Sequence, residues 1–209
     1  MSSIVQLIEG FSRFRKKHFV RSDALFHDLV KQGQTPRTLV VACCDSRVDP
    51  ALVLDCAPGD LFVIRNVANL VPPAENQGHY HGTSAALEFG VRKLEVEHIV
   101  VLGHAHCGGI HALMESELQN KDAFISEWMG IADAARERVS REFADASNAA
   151  RQRACEQQAI LVSLDNLMTF PWIRERVEQG LLALHGWYFD IEHGELLGYN
   201  ATDGRFKSL

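Results

Sequence analysis

The chain has 209 residues, 46% hydrophobic and 23% charged, with a net charge of −6 at neutral pH. That is long enough to bury a core, and the composition excludes a disordered or fibrous protein. The acidic balance argues against a nucleic-acid partner: the one basic cluster, Arg13-Phe14-Arg15-Lys16-Lys17, lies in a helical pattern and reads as a solvated face. No apolar run reaches the roughly 18 residues of a membrane helix, and Glu9 and Arg13 interrupt any secretory-signal core. Five unevenly spaced cysteines do not read as a disulfide framework. They point to a reducing cytoplasm, where clustered thiols serve metals or chemistry.

Residues 3–31 are predicted to form one or two amphipathic helices, with Ile4, Leu7, Ile8 and Phe11 at helical spacing and Ser22 as an N-cap. Such an arm has little chain of its own to pack on and is suited to lie across a partner subunit. Gly33-Gln34-Thr35-Pro36 breaks it. Thr38–Ala42 follows as a strand without polar alternation, as in a parallel sheet buried on both faces. A short helical stretch at Pro50–Leu54 leads to a second strand, Leu61–Arg65. A helix from Gly82 to Lys93 leads to a third, Ile99–Leu102. Helices are expected from Gly108 to about Leu118, across 120–147, and over 151–169, the last with Ile160, Leu164, Leu167 and Met168 on its apolar stripe. Pro171 starts a short helix that Gly180 ends, and two strands around His193-Gly194 close the pattern.

Strands alternating with helices imply an α/β fold: a mainly parallel central β-sheet flanked by helices, with an N-terminal helical arm. We expect one domain, the arm spanning 1–33 and the α/β core 34–209. Ligands in such sheets bind beyond the carboxyl ends of the strands, where strand order reverses. A spatial order beginning 2-1-3 would put the first and third strands at that point.

Both of those strands end in reactive residues: Cys43-Cys44-Asp45-Ser46-Arg47 and His104-Ala105-His106-Cys107-Gly108. Imidazole nitrogen and thiolate sulfur bind zinc at about 2.0–2.1 and 2.3 Å. A thiol from the first strand and the His104/Cys107 pair would supply three ligands, the number a catalytic zinc usually takes, and this donor set favours zinc over magnesium or calcium. Asp45 and Arg47, two positions apart, are expected to pair, which keeps the carboxylate ionised. Alternation sends Cys43 and Cys44 to opposite sides, and spacing alone does not say which binds. A vicinal redox pair is the competing reading.

Cys43-x-Asp45-Ser46-Arg47 followed by His104-x-x-Cys107-Gly108 resembles the β-class carbonic anhydrases. So do Leu54-Asp55-x-x-Pro58-Gly59-Asp60, Val63-x-Arg65-Asn66-x-Ala68-Asn69 and His185-Gly186-Trp187-x-x-Asp190, and the similarity spans roughly residues 25–200. Gly33-Gln34-Thr35-Pro36 and Asn69-Leu70-Val71-Pro72-Pro73 are similar to the branch containing the plant enzymes.

The resemblance implies zinc-dependent, reversible hydration of carbon dioxide to bicarbonate and a proton. It implies Cys43, His104 and Cys107 as ligands, with Cys44 off the metal. Two thiolates offset the charge of zinc, so Asp45 is expected to orient the attacking hydroxide and Arg47 to anchor Asp45. In some relatives the matching Asp is a fourth ligand in a closed state. That state goes with a bicarbonate pocket needing Trp and Gly where this chain has Val40 and Ala42, so an open site is expected. Gln34, Phe62, Val67, Phe89 and the N–H of Gly108 are implied as the substrate pocket, although plain core is an equal reading for Phe62, Val67 and Phe89. Phe89 stands where the plant enzymes have Tyr. His79, His81, His106 and His111 are candidate proton shuttles, and Glu88 and Asn66 read as structural. The family also implies a homodimer or a multiple of dimers. A carbon disulfide or carbonyl sulfide hydrolase on the same scaffold, or a non-catalytic zinc-stabilised protein, are the alternative readings.

Overall fold

Leu39-Val40-Val41-Ala42 offers no polar side to water, and all four side chains are fully buried. Ile99, Val100, Val101 and Leu102 are no more than 2% exposed. Each such Val, Leu or Ile side chain contributes about 1.5–3 kcal/mol by leaving water, so these two runs form the centre of the sheet. The structure, a computed structural model, describes residues 3–20, 25–75, 81–115 and 124–209. The expectations for Ser22, for His79 and for a helix continuing past 115 lie outside those residues.

In chain order the elements are α1 (Ile4–Arg15), a π-helical segment (Lys16–Val20), α2 (Leu25–Gln32), β1 (Thr38–Cys43), α3 (Pro50–Val53), β2 (Leu61–Asn66) and α4 (Gly82–Arg92). There follow β3 (His98–His104), α5 (Gly108–Met114), α6 (Phe124–Met129), α7 (Asp133–Glu142), α8 (Asn148–Leu167), α9 (Pro171–Glu178), β4 (Ala183–Asp190), β5 (Glu195–Asn200) and β6 (Arg205–Ser208). They form two compact units, Met1–Thr35 and Pro36–Leu209. In the first, Ser3 and Gln6 make a capping box for α1. The rings of Phe14, His18, Phe19 and Phe26 pack with centroids 4.9–6.0 Å apart. Ile4, Leu7, Ile8 and Phe11 are exposed.

In the second unit the strand order is β2-β1-β3-β4-β5-β6. The first four strands are parallel, and β5 and β6 are antiparallel. The expected 2-1-3 order is present, and β1 and β3 lie side by side where the winding reverses. Three strands run longer than sequence patterning indicates: β1 to Cys43, β2 to Asn66, β3 from His98 to His104. The ladder explains the extension, since Cys43 pairs with Asn66 and His104 with Phe189. The helical stretch expected across 120–147 divides within its described part, 124–147: a 3-10 turn at Gly130–Ala132 separates α6 from α7, and Ser147 restarts the chain by capping α8. The strand β6 was not anticipated.

The stripe of α8 also differs from expectation. Its buried residues are Cys155, Glu156, Ala159, Ile160, Ser163 and Leu167, whereas Leu164 and Met168 are half-buried. Two polar groups therefore face inward. Ser163 Oγ accepts the Val71 N–H at 3.1 Å. One core lies where Leu39, Val41, Ile99 and Val101 meet α4, α8 and α9. A second, between Cys43, Cys107, Ile110, Met129, Val139 and Ala159, surrounds the carboxyl ends of β1 and β3.

Candidate metal centre

Cys43 closes β1 and is 5% exposed; Cys44, one step on, is exposed and hydrogen-bonds Asn66 through its backbone only. His104 closes β3, 1% exposed. Its Nδ1 donates to the Ala105 carbonyl at 2.9 Å, which fixes the tautomer and leaves Nε2 with its lone pair. The chain then passes through His106, at a left-handed φ of 58°, and returns Cys107 as the N-cap of α5. The Cys107 thiol makes no capping bond of its own helix, and the N–H groups of Gly109 and Ile110 favour its thiolate.

These turns bring the donor atoms of Cys43, His104 and Cys107 within 4.8 Å of one another. The two sulfurs are 4.0 Å apart, close to the roughly 3.8 Å that tetrahedral zinc–sulfur geometry gives. His104 Nε2 is buried and has no hydrogen-bond partner among the described residues. An orphaned buried nitrogen aimed at two thiols is costly unless a cation takes it. The donor set therefore fits zinc.

The two sulfurs lie within hydrogen-bond reach of each other. The Cys43 thiol is lowered to about 4, first by the hydrogen bond from Cys107 and then by His104 and backbone N–H groups, against its burial. Cys107 is pushed up by the same sulfur contact and by burial. Ala68 supplies one of the N–H groups acting on Cys43 from a left-handed backbone, φ 62°.

Asp45 faces Arg47. Its Oδ1 accepts Arg47 Nε at 2.9 Å and the Arg47 backbone N–H at 3.0 Å, and Oδ2 accepts the guanidinium at 2.7 Å. These bonds hold the carboxyl well below the usual range. Arg47 also donates to the His106 carbonyl at 3.2 Å, tying the two strand ends together. Asp45 is not a member of the donor group here.

Arg65, to which sequence reasoning gave no role, donates to the carbonyls of Cys43 and Asp45 at 2.9 and 2.7 Å and pairs with Asp49 at 2.8 Å. Glu156 was missed altogether. It is 3% exposed and accepts the Cys107 N–H at 3.0 Å. A carboxylate on the buried stripe of α8 was the available signal.

Of the expected pocket residues, Val67 lines a cavity of about 800 Å³ with Cys44, Asn66, Phe124, Trp128 and Ile131. Phe62 and Phe89 stack on each other at 5.9 Å and do not line it; Phe89 is 46% exposed, so it is not core. Gly108 is exposed at the start of α5. Gln34 falls in the N-terminal unit. Among the candidate shuttles, His106 pairs with Glu192 at 3.0 Å, His111 meets Gln152 at 3.2 Å, and His81 lines the cavity. Asn66 bonds both backbone groups of Leu70, and Glu88 pairs with Arg92. A second group with donors in reach, Asp190-Glu192-His193, is already occupied: Asp190 takes Arg153 at 2.7 Å and two backbone N–H groups.

Two thiols, an imidazole and an ionised Asp–Arg pair at the switch point of an α/β sheet define a zinc enzyme built to activate water. The family model described as carbonic anhydrase matches residues 38–196. Beta carbonic anhydrase 3 of Arabidopsis thaliana is 38% identical over 197 residues, covering 93% of this chain and 76% of that protein. A carbonic anhydrase of Synechocystis is 39% identical over 200 residues, covering 94% and 71%. The structure of the beta-carbonic anhydrase CcaA superposes with a TM-score of 0.93 at 37% identity, covering both chains fully. A tetrameric beta-carbonic anhydrase of Sordaria macrospora gives 0.71 at 29%, covering 98% and 92%. The chain belongs to the carbonic anhydrase family, in its β class. It is a zinc-dependent lyase that hydrates carbon dioxide reversibly to bicarbonate and a proton.

Proposed function

We propose that Cys43, His104 and Cys107 are the zinc ligands of this reaction, that Asp45 orients the nucleophile and that Arg47 anchors Asp45. The observation that carries the ligand assignment is the buried Nε2 of His104, with no hydrogen-bond partner within normal range among the described residues, beside two sulfurs 4.0 Å apart. Zinc in such a donor set supplies the Lewis acidity that yields hydroxide from water near neutral pH. Asp45, kept ionised by Arg47, can only accept a hydrogen bond. It would accept a hydrogen bond from the nucleophile and so turn an oxygen lone pair toward carbon dioxide. The intact Asp45–Arg47 pair supports an open site, in which Cys43, His104 and Cys107 would hold the metal; a fourth-ligand role for Asp45 would need that pair to break.

Carbon dioxide is small and apolar, and Val67 offers it an apolar wall, with the Gly108 N–H a donor for an oxygen; the Phe62–Phe89 stack is a separate apolar surface. Val67 and Phe89 are 36% and 46% exposed, which suits walls completed by a second copy of the chain. These exposed walls support a homodimer or a multiple of dimers, with the apolar face of α1 as a further surface to cover. A reducing compartment such as the cytoplasm suits five free cysteines. Among the described residues no helix is long and apolar enough to cross a membrane.

Zinc content and stopped-flow hydration, measured together on two variants, test the assignment. Asp45→Asn should keep one zinc per chain and lose about 10²–10³-fold in kcat, the scale of losing one preorganised hydrogen-bond group. Cys44→Ser should match the wild type in both. Zinc loss in Cys44→Ser, or full rate in Asp45→Asn, overturns the assignment.

A further inference from the structure

Helix α5 has an unusual problem at its first residue. An N-cap side chain normally satisfies an amide of its own helix, and in a capping box the third helical residue reaches back to the N-cap N–H. Cys107 is the N-cap, its sulfur belongs to the donor group, and the third residue, Ile110, has nothing to give. The N–H of Cys107 is buried and would be orphaned. Glu156 meets it from another helix.

Glu156 is itself firmly held. Oε1 accepts the Cys107 N–H and the Gln152 side-chain amide, each at 3.0 Å, and Oε2 accepts the Tyr188 hydroxyl at 2.8 Å. Tyr188 is fully buried, and burial, then the Glu156 charge, push its phenol up, so it stays a donor. The Arg153 guanidinium lies 5.1 Å over the Tyr188 ring. Gln152 also reaches His111 on α5 at 3.2 Å. Helix α8 thus grips α5 at its N-cap and one turn further on. Beside this network lies a cavity of about 250 Å³ lined by Ala149, Ala150, Gln152, Arg153, Glu156 and Tyr188 among others.

We propose that Glu156, fixed by Tyr188, is a positioning residue for the Cys107 thiolate and sets how tightly zinc is held. The inference rests on the reading of Cys107 as a ligand. A carboxylate is the strongest neutral-donor acceptor available, and it acts on the ligand's own backbone, one residue past the left-handed His106, where the loop has no other anchor for that amide. The neighbouring cavity gives water a way to the freed N–H when the carboxylate is removed. The loss is therefore expected in ligand position more than in fold.

Three variants of the full-length protein test this: Glu156→Ala, Glu156→Gln and Tyr188→Phe. The readouts are zinc affinity by chelator competition and the visible spectrum of the cobalt-substituted protein, which reports ligand geometry directly. Glu156→Ala should weaken zinc by about 10–100-fold, as for outer partners of metal ligands generally, and shift the cobalt thiolate bands. Glu156→Gln keeps an acceptor for the Cys107 N–H and should recover most of both. Tyr188→Phe should fall between, with a weakening of about 3–10-fold. If Glu156→Ala does not fold, Tyr188→Phe decides. Wild-type affinity and an unchanged cobalt spectrum in folded Glu156→Ala, or in Tyr188→Phe where that variant decides, overturn the proposal, as does a Gln variant no better than Ala. A wild type that binds no zinc, or a Cys107→Ser variant that binds it normally, would overturn the ligand assignment instead.

Discussion

The two strand ends that meet at the centre are secured by opposite means. After β1 the chain turns through exposed residues and is held by cations: Arg65 gathers two carbonyls and the Asp49 carboxylate, and Arg47 grips Asp45. After β3 the ligand-bearing residues are drier: Ala105 and Cys107 are buried, while His106 and Gly108 reach solvent. A backbone carbonyl orients His104, a buried carboxylate holds Cys107, and residues of α8 pack from behind. The difference matches the work. Orienting a nucleophile needs an ionised group that water and substrate can reach, whereas a ligand needs a fixed place and little solvent. On the proposed assignment one end supplies chemistry and the other supplies position, with Cys43 as the exception that puts a ligand on the wet side.

That exception gives the largest expected effect. Cys43→Ser should abolish stoichiometric zinc and with it hydration, as read by metal analysis and stopped flow. Retained zinc would mean that the dry turn alone suffices and would break the contrast. Next comes the cationic clamp. Arg65→Gln removes up to three charge-assisted hydrogen bonds, so stability should drop by about 3 kcal/mol in urea unfolding. The rate should fall further than zinc content, because both Asp45 and Cys43 lose a backbone anchor while His104 and Cys107, two of the three proposed ligands, keep theirs. Equal loss of zinc and rate would show that the two turns are one unit.

The smallest effect lies on the dry side, at the end of β4. Asp190 is almost fully buried, and burial alone would raise its pKa. Arg153, His193 and two backbone N–H groups outweigh that and hold it well below the usual range. A depressed carboxylate contributes its full stability above the unfolded-chain pKa of about 4 and loses it as pH falls through the lower folded value. Asp190→Asn should cost about 2 kcal/mol at neutral pH and flatten the acid limb of a plot of Tm against pH. An unchanged acid limb would place the acid sensitivity on the wet side instead.

The reactive residues of both strand ends were legible in the sequence; the supports of the dry side were not. Two uninterrupted apolar runs declared a parallel sheet, and the residues closing them declared a metal; Asp45 and Arg47 sit two apart and found each other without help from the fold. Choosing Cys43 over Cys44 needed the family resemblance, because alternation separates the two without ranking them. Glu156 and Ser163 were hidden by the rule that finds helix stripes. A stripe traced through Ile160, Leu164, Leu167 and Met168 treats polar residues as outward, and here two of them face inward to serve backbone amides of loops they never adjoin in sequence. Arg205–Ser208 was invisible for a simpler reason: an edge strand with one apolar residue, Phe206, carries almost no periodic signal.

Gly103 on β3 and Gly186 on β4 face the same side chain. A β-carbon at Gly103 would stand 2.7 Å from Cδ1 of Ile160, and one at Gly186 would stand 2.9 Å from its Cγ2. Ile160 lies one helical turn from Glu156. Helix α8 rides as low over the sheet as two missing methyl groups permit, and that depth is what leaves its carboxylate 3.0 Å from the Cys107 amide. The tolerance of the zinc turn is thus set at a distance, by vacancies in the sheet: a shim of one carbon under Ile160 would be felt as a stretched bond at the ligand.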